Sequence, residues 1–484
     1  MNIDLEYGSG TLSVEVPDTV DTFVAGETVP DPPHLANPVA ATEAALNAPL
    51  GLPRIEDSVG PGSKVTIIFP DKVKGGTHAT AHRRVTIPLV LARLHRAGVL
   101  ESDIMFICSN GLHAKNTPDQ IRALLGEDVF DRFWPAGQII NHDSEDYDHL
   151  VDLGHTGRGD TVIMNKYVHD SDLAILIGHA LGNPYGGYSG GYKHCATGLS
   201  HWKSIAAHHV PAVMHRPDFV PVSTSSMMRH QFDEIGEHME KSMRRPFFCV
   251  DAVLDSASRQ IAVFAGSAKA IEAPSWEVAD QRTCVPWAQK SYDVLLFGLP
   301  QAFQYGDGMG TNPIMVMQAI SAQIVRHKRI LSERCVVIAV AELGWFNEEL
   351  FTGHEEVLRR FAASGQVLSD LAAEGARFAV DAAYIDRYRN HYAFHPFHAF
   401  SMISSAELAE QHAAALYVVG ARQPGLARSL GMRTRDSVTA ALNDARTIVG
   451  DNPAILALPR AFTRPAVHLF RDTDSPTSNR PTPE

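Results

Sequence analysis

Residues 173–194 read LAILIGHALGNPYGGYSGGYKH. Leu173 to Ile177 is an unbroken apolar run, the pattern of a parallel strand covered on both faces. It runs into a glycine-rich loop, Gly182 to Gly191, that ends on Lys193 near a helix start. A strand, a glycine loop and a helix in succession point to a doubly wound α/β sheet, which binds ligands beyond the C-terminal ends of its strands. The loop is not a nucleotide-binding P-loop. Tyr192 separates the lysine from the last glycine, and His194 stands where a magnesium-binding Ser or Thr belongs.

The same alternation extends in both directions. Upstream, Val65 to Phe69 and Ile104 to Cys108 are apolar runs, with a helix between them from about Thr86 to His95. Both runs end in polar groups, Pro70-Asp71-Lys72-Val73-Lys74 and Ser109-Asn110-Gly111-Leu112-His113, where the crevice of such a sheet should lie. Thr117-Pro118-Asp119-Gln120 then opens a helix, with Thr as N-cap and Pro at the first helical position. Downstream, the pattern restarts near Pro286. Strands are expected at 294–297, 335–340, 416–419 and 455–458, and a helix at 314–325 behind the cap Asn312. The expectation is two doubly wound α/β domains with an active-site cleft between them. The N-terminal, cofactor-binding domain spans 1–287, the C-terminal domain 288–470, and a disordered tail 471–484.

Composition narrows the partners. A net charge of −13 disfavours nucleic acid and anionic membrane surfaces, which need a basic face. The chain has no apolar run of membrane-spanning length and no leader-like N-terminus, so a cytoplasmic protein is expected. The five cysteines form no C-x-x-C pair, which argues against a disulfide framework or a zinc ribbon. The 24 histidines raise the prospect of metal or proton chemistry.

Tyr188-Ser189-Gly190-Gly191-Tyr192-Lys193, followed by Gly198, Lys203-Ser204-Ile205 and His209, resembles the signature of the nickel-dependent lactate racemase family. The resemblance implies a nickel-pincer nucleotide, pyridinium-3-thioamide-5-thiocarboxylic acid mononucleotide, attached to Lys193. It implies His209 as the protein ligand to nickel, in keeping with the preference of Ni(II) for square-planar nitrogen and sulfur donors. It places Ser189, Gly190, Gly191 and Asp71 around the cofactor, Lys74 at a substrate carboxylate and His113 as an acid/base. Met317-Gln318-Ala319-Ile320-Ser321 resembles a second-domain helix whose Gln, here Gln318, faces the same site. The activity implied is inversion of C2 in a 2-hydroxy acid by reversible hydride transfer, with cofactor-biosynthesis proteins as partners.

The chain departs from the family's pattern in four places, one of them an insertion-like stretch, Gly75 to His82, where the family has a short Arg-Pro turn. Lys74 replaces an Arg, so a point charge stands where a bidentate pair is usual. Asn183 replaces the second acid/base histidine and cannot shuttle a proton at neutral pH. Ser321 replaces a lysine. These changes point to a larger or more polar 2-hydroxy acid such as a sugar acid, with His179, His194 or His78 as a substitute base. Other histidine groupings are His78 with His82, at the spacing of a helical zinc pair, and His194, His201 and His208, which one continuous helix would align. His391, His395 and His398 are a third, beside Tyr392, a candidate substrate-packing aromatic. The alternatives are a cofactor-binding homologue without turnover and an unrelated zinc hydrolase.

Overall fold

A computed structural model describes residues 1–288, 290–363, 374–464 and 466–471. The chain forms two compact units. One comprises Pro32–His208 and Val222–Arg282; the other comprises Met1–Asp31, His209–Pro221 and Thr283–Glu484.

The unit built on 32–208 and 222–282 contains a six-stranded sheet. Its strand order is Gln260–Gly266, Phe248–Leu254, Leu173–His179, Val65–Phe69, Ile104–Cys108, Ile139–Asn141. All neighbours are parallel except Gln260–Gly266, which runs antiparallel to Phe248–Leu254. The apolar runs read from sequence are these central strands, and Val65–Phe69 and Leu173–His179 are buried along their whole length. From Val65–Phe69 the chain winds outward through 104–108 and 139–141, then returns to the other side at 173–179. The order reverses between Val65–Phe69 and Leu173–His179, and a doubly wound sheet binds ligands at such a switch point.

Helix His82–Arg96 lays Ile87, Val90, Leu91 and Leu94 on this sheet, in a core with Ile67, Phe106 and Ile175. Helix Pro118–Leu125 begins with a complete capping box. Thr117 Oγ1 accepts the Gln120 N–H at 3.3 Å, and Gln120 Oε1 accepts the Thr117 N–H at 3.0 Å.

The other unit carries an eight-stranded sheet. Tyr292–Pro300 is paired in parallel with Leu331–Val340 and Ile455–Leu458, and Leu331–Val340 continues to Ala415–Val419 and Arg433–Arg435. Helix Pro313–His327 starts at the cap Asn312, whose Oδ1 accepts the Ile314 N–H at 3.0 Å.

A single cut after residue 287 does not describe the division. The N-terminal hairpin, Asn2–Gly8 with Gly10–Glu15, pairs in parallel with the far end of Tyr292–Pro300, and Ile3, Leu5 and Val14 join that core. Gly298 allows this approach, since a Cβ there would strike the Glu6 backbone. The segment 209–221 also groups with this unit. Of the expected tail, Arg471 ends strand His468–Arg471, and 472–484 lie outside the described residues. Among the described residues, no helix is long and apolar enough to cross a membrane.

Candidate active site

The loops leaving the switch point line a small, partly open pocket. Pro70 and Lys74 come from the end of one strand and Ser109 from the next. Gly178 and His179 come from the strand across the switch, and Ser189, Gly190, Lys193 and His194 from the glycine loop and the helix Gly191–Gly198. Four of the expected site residues, Lys74, Ser189, Gly190 and Lys193, therefore meet on this wall.

Glycine is required in the loop. Gly190 has φ +83°, and a Cβ there would collide with the Asp251 carboxylate. Ser189 spends its hydroxyl on the hairpin, donating to His179 O at 2.8 Å and accepting the Leu181 N–H at 3.1 Å. Lys193 Nζ donates to Tyr185 O at 3.0 Å. Burial, with Lys74 and Arg229 nearby, holds the Lys193 amine well below the ordinary lysine pKa. Lys74 is lowered too, by burial first and against the pull of Asp71. Its loop is fixed from behind by Arg83, which donates to Pro70 O at 2.5 Å and to Lys74 O. Burial lowers that guanidinium to about 10.

Asp71 lies behind Lys74, with one carboxylate oxygen 2.6 Å from His113 Nδ1. Burial pushes the Asp71 carboxyl up, but His113, the hydrogen bond to it and Lys74 together hold it below the usual carboxylate value. This is an orienting carboxylate on an imidazole, the arrangement that fixes which ring nitrogen carries the hydrogen. His179, in the pocket wall, is lowered well below the ordinary histidine value by burial and then by Lys74. His194 is lowered to about 3, by burial and Lys74, and its Nε2 is 2.6 Å from Ser109 Oγ.

Other expected residues are placed elsewhere. Asn183 turns its Oδ1 onto the Tyr185 N–H at 2.7 Å, within the hairpin formed by Gly182–Asn183 and Gly187–Tyr188. Gly191 gives its N–H to Asp251 at 3.0 Å. His209 and Gln318 belong to the other unit, His209 in a bend after helix Trp202–Ala206 and Gln318 buried on helix Pro313–His327. Ser321 donates to Ser405 O at 2.7 Å and so ties that helix to its neighbour Phe397–Ala406.

The histidine groupings do not form as aligned sets. His194, His201 and His208 are not on one helix, because helix Gly191–Gly198 ends and a second begins at Trp202 with His201 as its N-cap. His208 packs edge-on to Phe232. His82 bonds to Val250 O and Thr86, while His78 turns to Thr80 and Ser258 O, so they do not converge. His391 caps the end of helix Ala382–Asn390, Tyr392 is exposed beside it, and His398 lies in the next helix.

Sequence reading missed Asp251. Its signal was present, a single charge in the strand FCVDAVL at 248–254, where a buried carboxylate is costly unless it has a purpose. It also passed over Arg83, and it gave Ser109 a place at the strand end but no role of its own.

The lactate racemase N-terminal domain family matches residues 7–219. That match takes in less than half of the chain, and it includes the glycine loop and Lys193. Over 287 residues the chain is 24% identical to the lactate racemase of Lactiplantibacillus plantarum, covering 59% of this chain and 64% of that protein. It is 22% identical over 265 residues to the lactate racemase of Thermoanaerobacterium thermosaccharolyticum, covering 55% and 59%. The matched region thus spans less than two thirds of either curated relative. The lactate racemase apoprotein from T. thermosaccharolyticum has the same fold, with a TM-score of 0.68 at 18% identity over 97% of this chain and all of that one. A Thermotoga maritima protein follows at a TM-score of 0.60 and 13% identity, over 90% of this chain and 99% of that one.

Proposed function

We propose that this protein is an isomerase that inverts C2 of a 2-hydroxy acid, using a nickel-pincer nucleotide attached to Lys193. The observation that carries the reading is the state of Lys193. It ends a glycine loop in the segment that matches the lactate racemase N-terminal domain family, inside a pocket at the switch point, with its amine held toward the neutral form. A neutral amine is what forms a covalent acyl-type bond. That state fits a tethered cofactor.

When bound, that cofactor supplies reversible hydride exchange with C2. The remaining tasks fall to side chains. Lys74 attracts the substrate carboxylate into a pocket where its charge is little screened. His113, oriented by Asp71, takes and returns the hydroxyl proton. The planar 2-keto acid so formed can be reduced on either face, and configuration is lost. The family resemblance assigns the nickel ligand to His209 and a polar contact to Gln318. The substrate is a 2-hydroxy acid larger or more polar than lactate, because Lys74 and Ser321 stand in place of an Arg and a Lys. The protein acts in the cytoplasm and is loaded by cofactor-biosynthesis proteins.

One observation favours a second reading, a homologue that binds the cofactor without turnover. Asn183, at the position of the family's second acid/base, is spent on a turn. The first experiment is intact mass and metal content after co-expression with the nickel-cofactor pathway. A mononucleotide-sized adduct on Lys193 and about one nickel per chain are expected, with inversion of one or more 2-hydroxy acids. An adduct without inversion of any favours the second reading. An unmodified Lys193, under conditions that load a control family member, sinks both.

A further inference from the structure

Strand Phe248–Leu254 is apolar except for Asp251, which is 2% exposed and lies beside Gly178 in parallel register. Its Oδ2 accepts the Gly191 N–H at 3.0 Å, in the first turn of the helix that carries Lys193. Its Oδ1 is closed off from solvent without a hydrogen-bond partner, and so is Nδ1 of His194. The two atoms border one gap. A Cβ on Gly178 would stand 2.6 Å from Asp251 Oδ1 and 3.2 Å from His194 Nδ1. Glycine keeps a side chain out of that gap, which is narrow enough for a single water to bridge. On its other side, His194 Nε2 is 2.6 Å from Ser109 Oγ, which is also 3.0 Å from Phe69 O. Ser109 and His194 both line the pocket that holds Lys193.

These atoms can be satisfied in two ways. With a proton on Asp251 Oδ1, that proton faces His194 Nδ1, Nε2–H donates to Ser109, and Ser109 donates to Phe69 O. With Asp251 ionised, His194 carries its hydrogen on Nδ1 and accepts the Ser109 hydroxyl hydrogen at Nε2. The two arrangements differ by one proton, and the imidazole is neutral in both.

We infer that Ser109, His194 and Asp251 form a proton relay, entered from the pocket at Ser109 and ending on Asp251, that serves as the acid/base Asn183 cannot provide. This rests on the 2-hydroxy acid reading above. As C2 gives its hydride to the cofactor of that reading, the substrate O–H bond breaks and its proton bonds to Ser109 Oγ. The original Ser109 proton moves to His194 Nε2, and the His194 Nδ1 proton moves to Asp251 through a bridging water. The reverse sequence returns the proton to the substrate oxygen when C2 is reduced again, on either face. Burial raises Asp251 to about 7, against its hydrogen bond from Gly191, and lowers His194 to about 3. The proton therefore rests on the carboxyl, near neutrality. Lys74, Asp71 and His179 surround His194, and Cys249 on the Asp251 strand stays a thiol because burial raises it.

The test is 15N-histidine NMR of the cofactor-free protein between about pH 5.5 and 8.5, with the His194→Gln variant identifying the signal. His194 should pass from the Nε2–H to the Nδ1–H tautomer with a midpoint near 7, without becoming imidazolium. Asp251→Asn should abolish the switch. In the loaded protein, Ser109→Ala and Asp251→Asn should each lower kcat about a hundredfold. Asp251→Asn should also flatten the limb of the pH profile near neutrality. A His194 fixed in one tautomer, or one that becomes imidazolium, overturns the relay, and this result needs no variant that might misfold. A tautomer switch in a protein that inverts no 2-hydroxy acid supports the proton path and sinks the substrate class instead.

Discussion

Asp71 and His113 set the finest scale of the site. The carboxylate is buried, ionised and 2.6 Å from the imidazole it orients. Asp71→Asn should keep the pocket's shape but lose the preferred ring tautomer. Turnover should fall about a hundredfold while the adduct on Lys193 still forms, as kinetics and intact mass on the same sample will show. An equal loss of the adduct would mean that Asp71 acts in loading instead. Because its pKa is depressed, Asp71 contributes stability above the ordinary carboxylate range and loses it only in more acid solution. The place of Lys193 and Lys74 on the pocket wall was legible in the sequence because each ends a recognisable run. Asp251 was not. Its meaning comes from strand Phe248–Leu254 lying beside Leu173–His179, so that Asp251 meets Gly178 across the register. No local pattern encodes that pairing. Asn183, read from the sequence as a poor proton carrier, accepts the Tyr185 N–H in a turn that the spacing did not reveal.

At the scale of elements, the placement of Lys193 depends on two helices meeting closely. Helix Met227–Met243 presents Gly236 to Tyr192, and a Cβ at Gly236 would fall within the Tyr192 ring. Tyr192 Oη then donates to Glu240 Oε2 at 2.8 Å on the same helix, four residues on from Gly236. Gly236→Ala should push the ring away and tilt the turn that carries Lys193. A loss of about 1–3 kcal/mol is expected, read by denaturant unfolding, with slower loading of the cofactor. A variant as stable as the parent would show that the contact yields easily. The strands and helices themselves were mostly legible, since 65–69 and 104–108 coincide with the apolar runs read from sequence. The histidine alignment at 194, 201 and 208 failed for a local reason. The helix stops after Gly198, and His201 caps a new one.

At the scale of the molecule, both units bury neutral histidines. Burial lowers His82 and His142 to about 4 in one unit, and His327 and His354 to about 3 in the other. Unfolded, each regains a pKa of about 6.5. Between those values the unfolded chain binds protons that the native chain does not, so stability falls as pH falls. Each histidine contributes a slope of about 1.4 kcal/mol per pH unit in that window. Calorimetry from pH 7 downward should show melting temperatures dropping well before the carboxylates protonate. A flat response down to about pH 5 would mean that these side chains are solvated in the native state.

The N-terminal hairpin carries a consequence for biosynthesis. Its strand Asn2–Gly8 pairs with Tyr292–Pro300, and the unit on 32–208 and 222–282 is interposed. At about 5–20 residues per second, a ribosome makes the hairpin tens of seconds before its partner. The interposed unit can collapse first, as an insertion folding inside its host. Meanwhile Ile3, Leu5 and Val14 emerge as an unpaired apolar edge, the kind of nascent segment that chaperones shield and that aggregates when they do not.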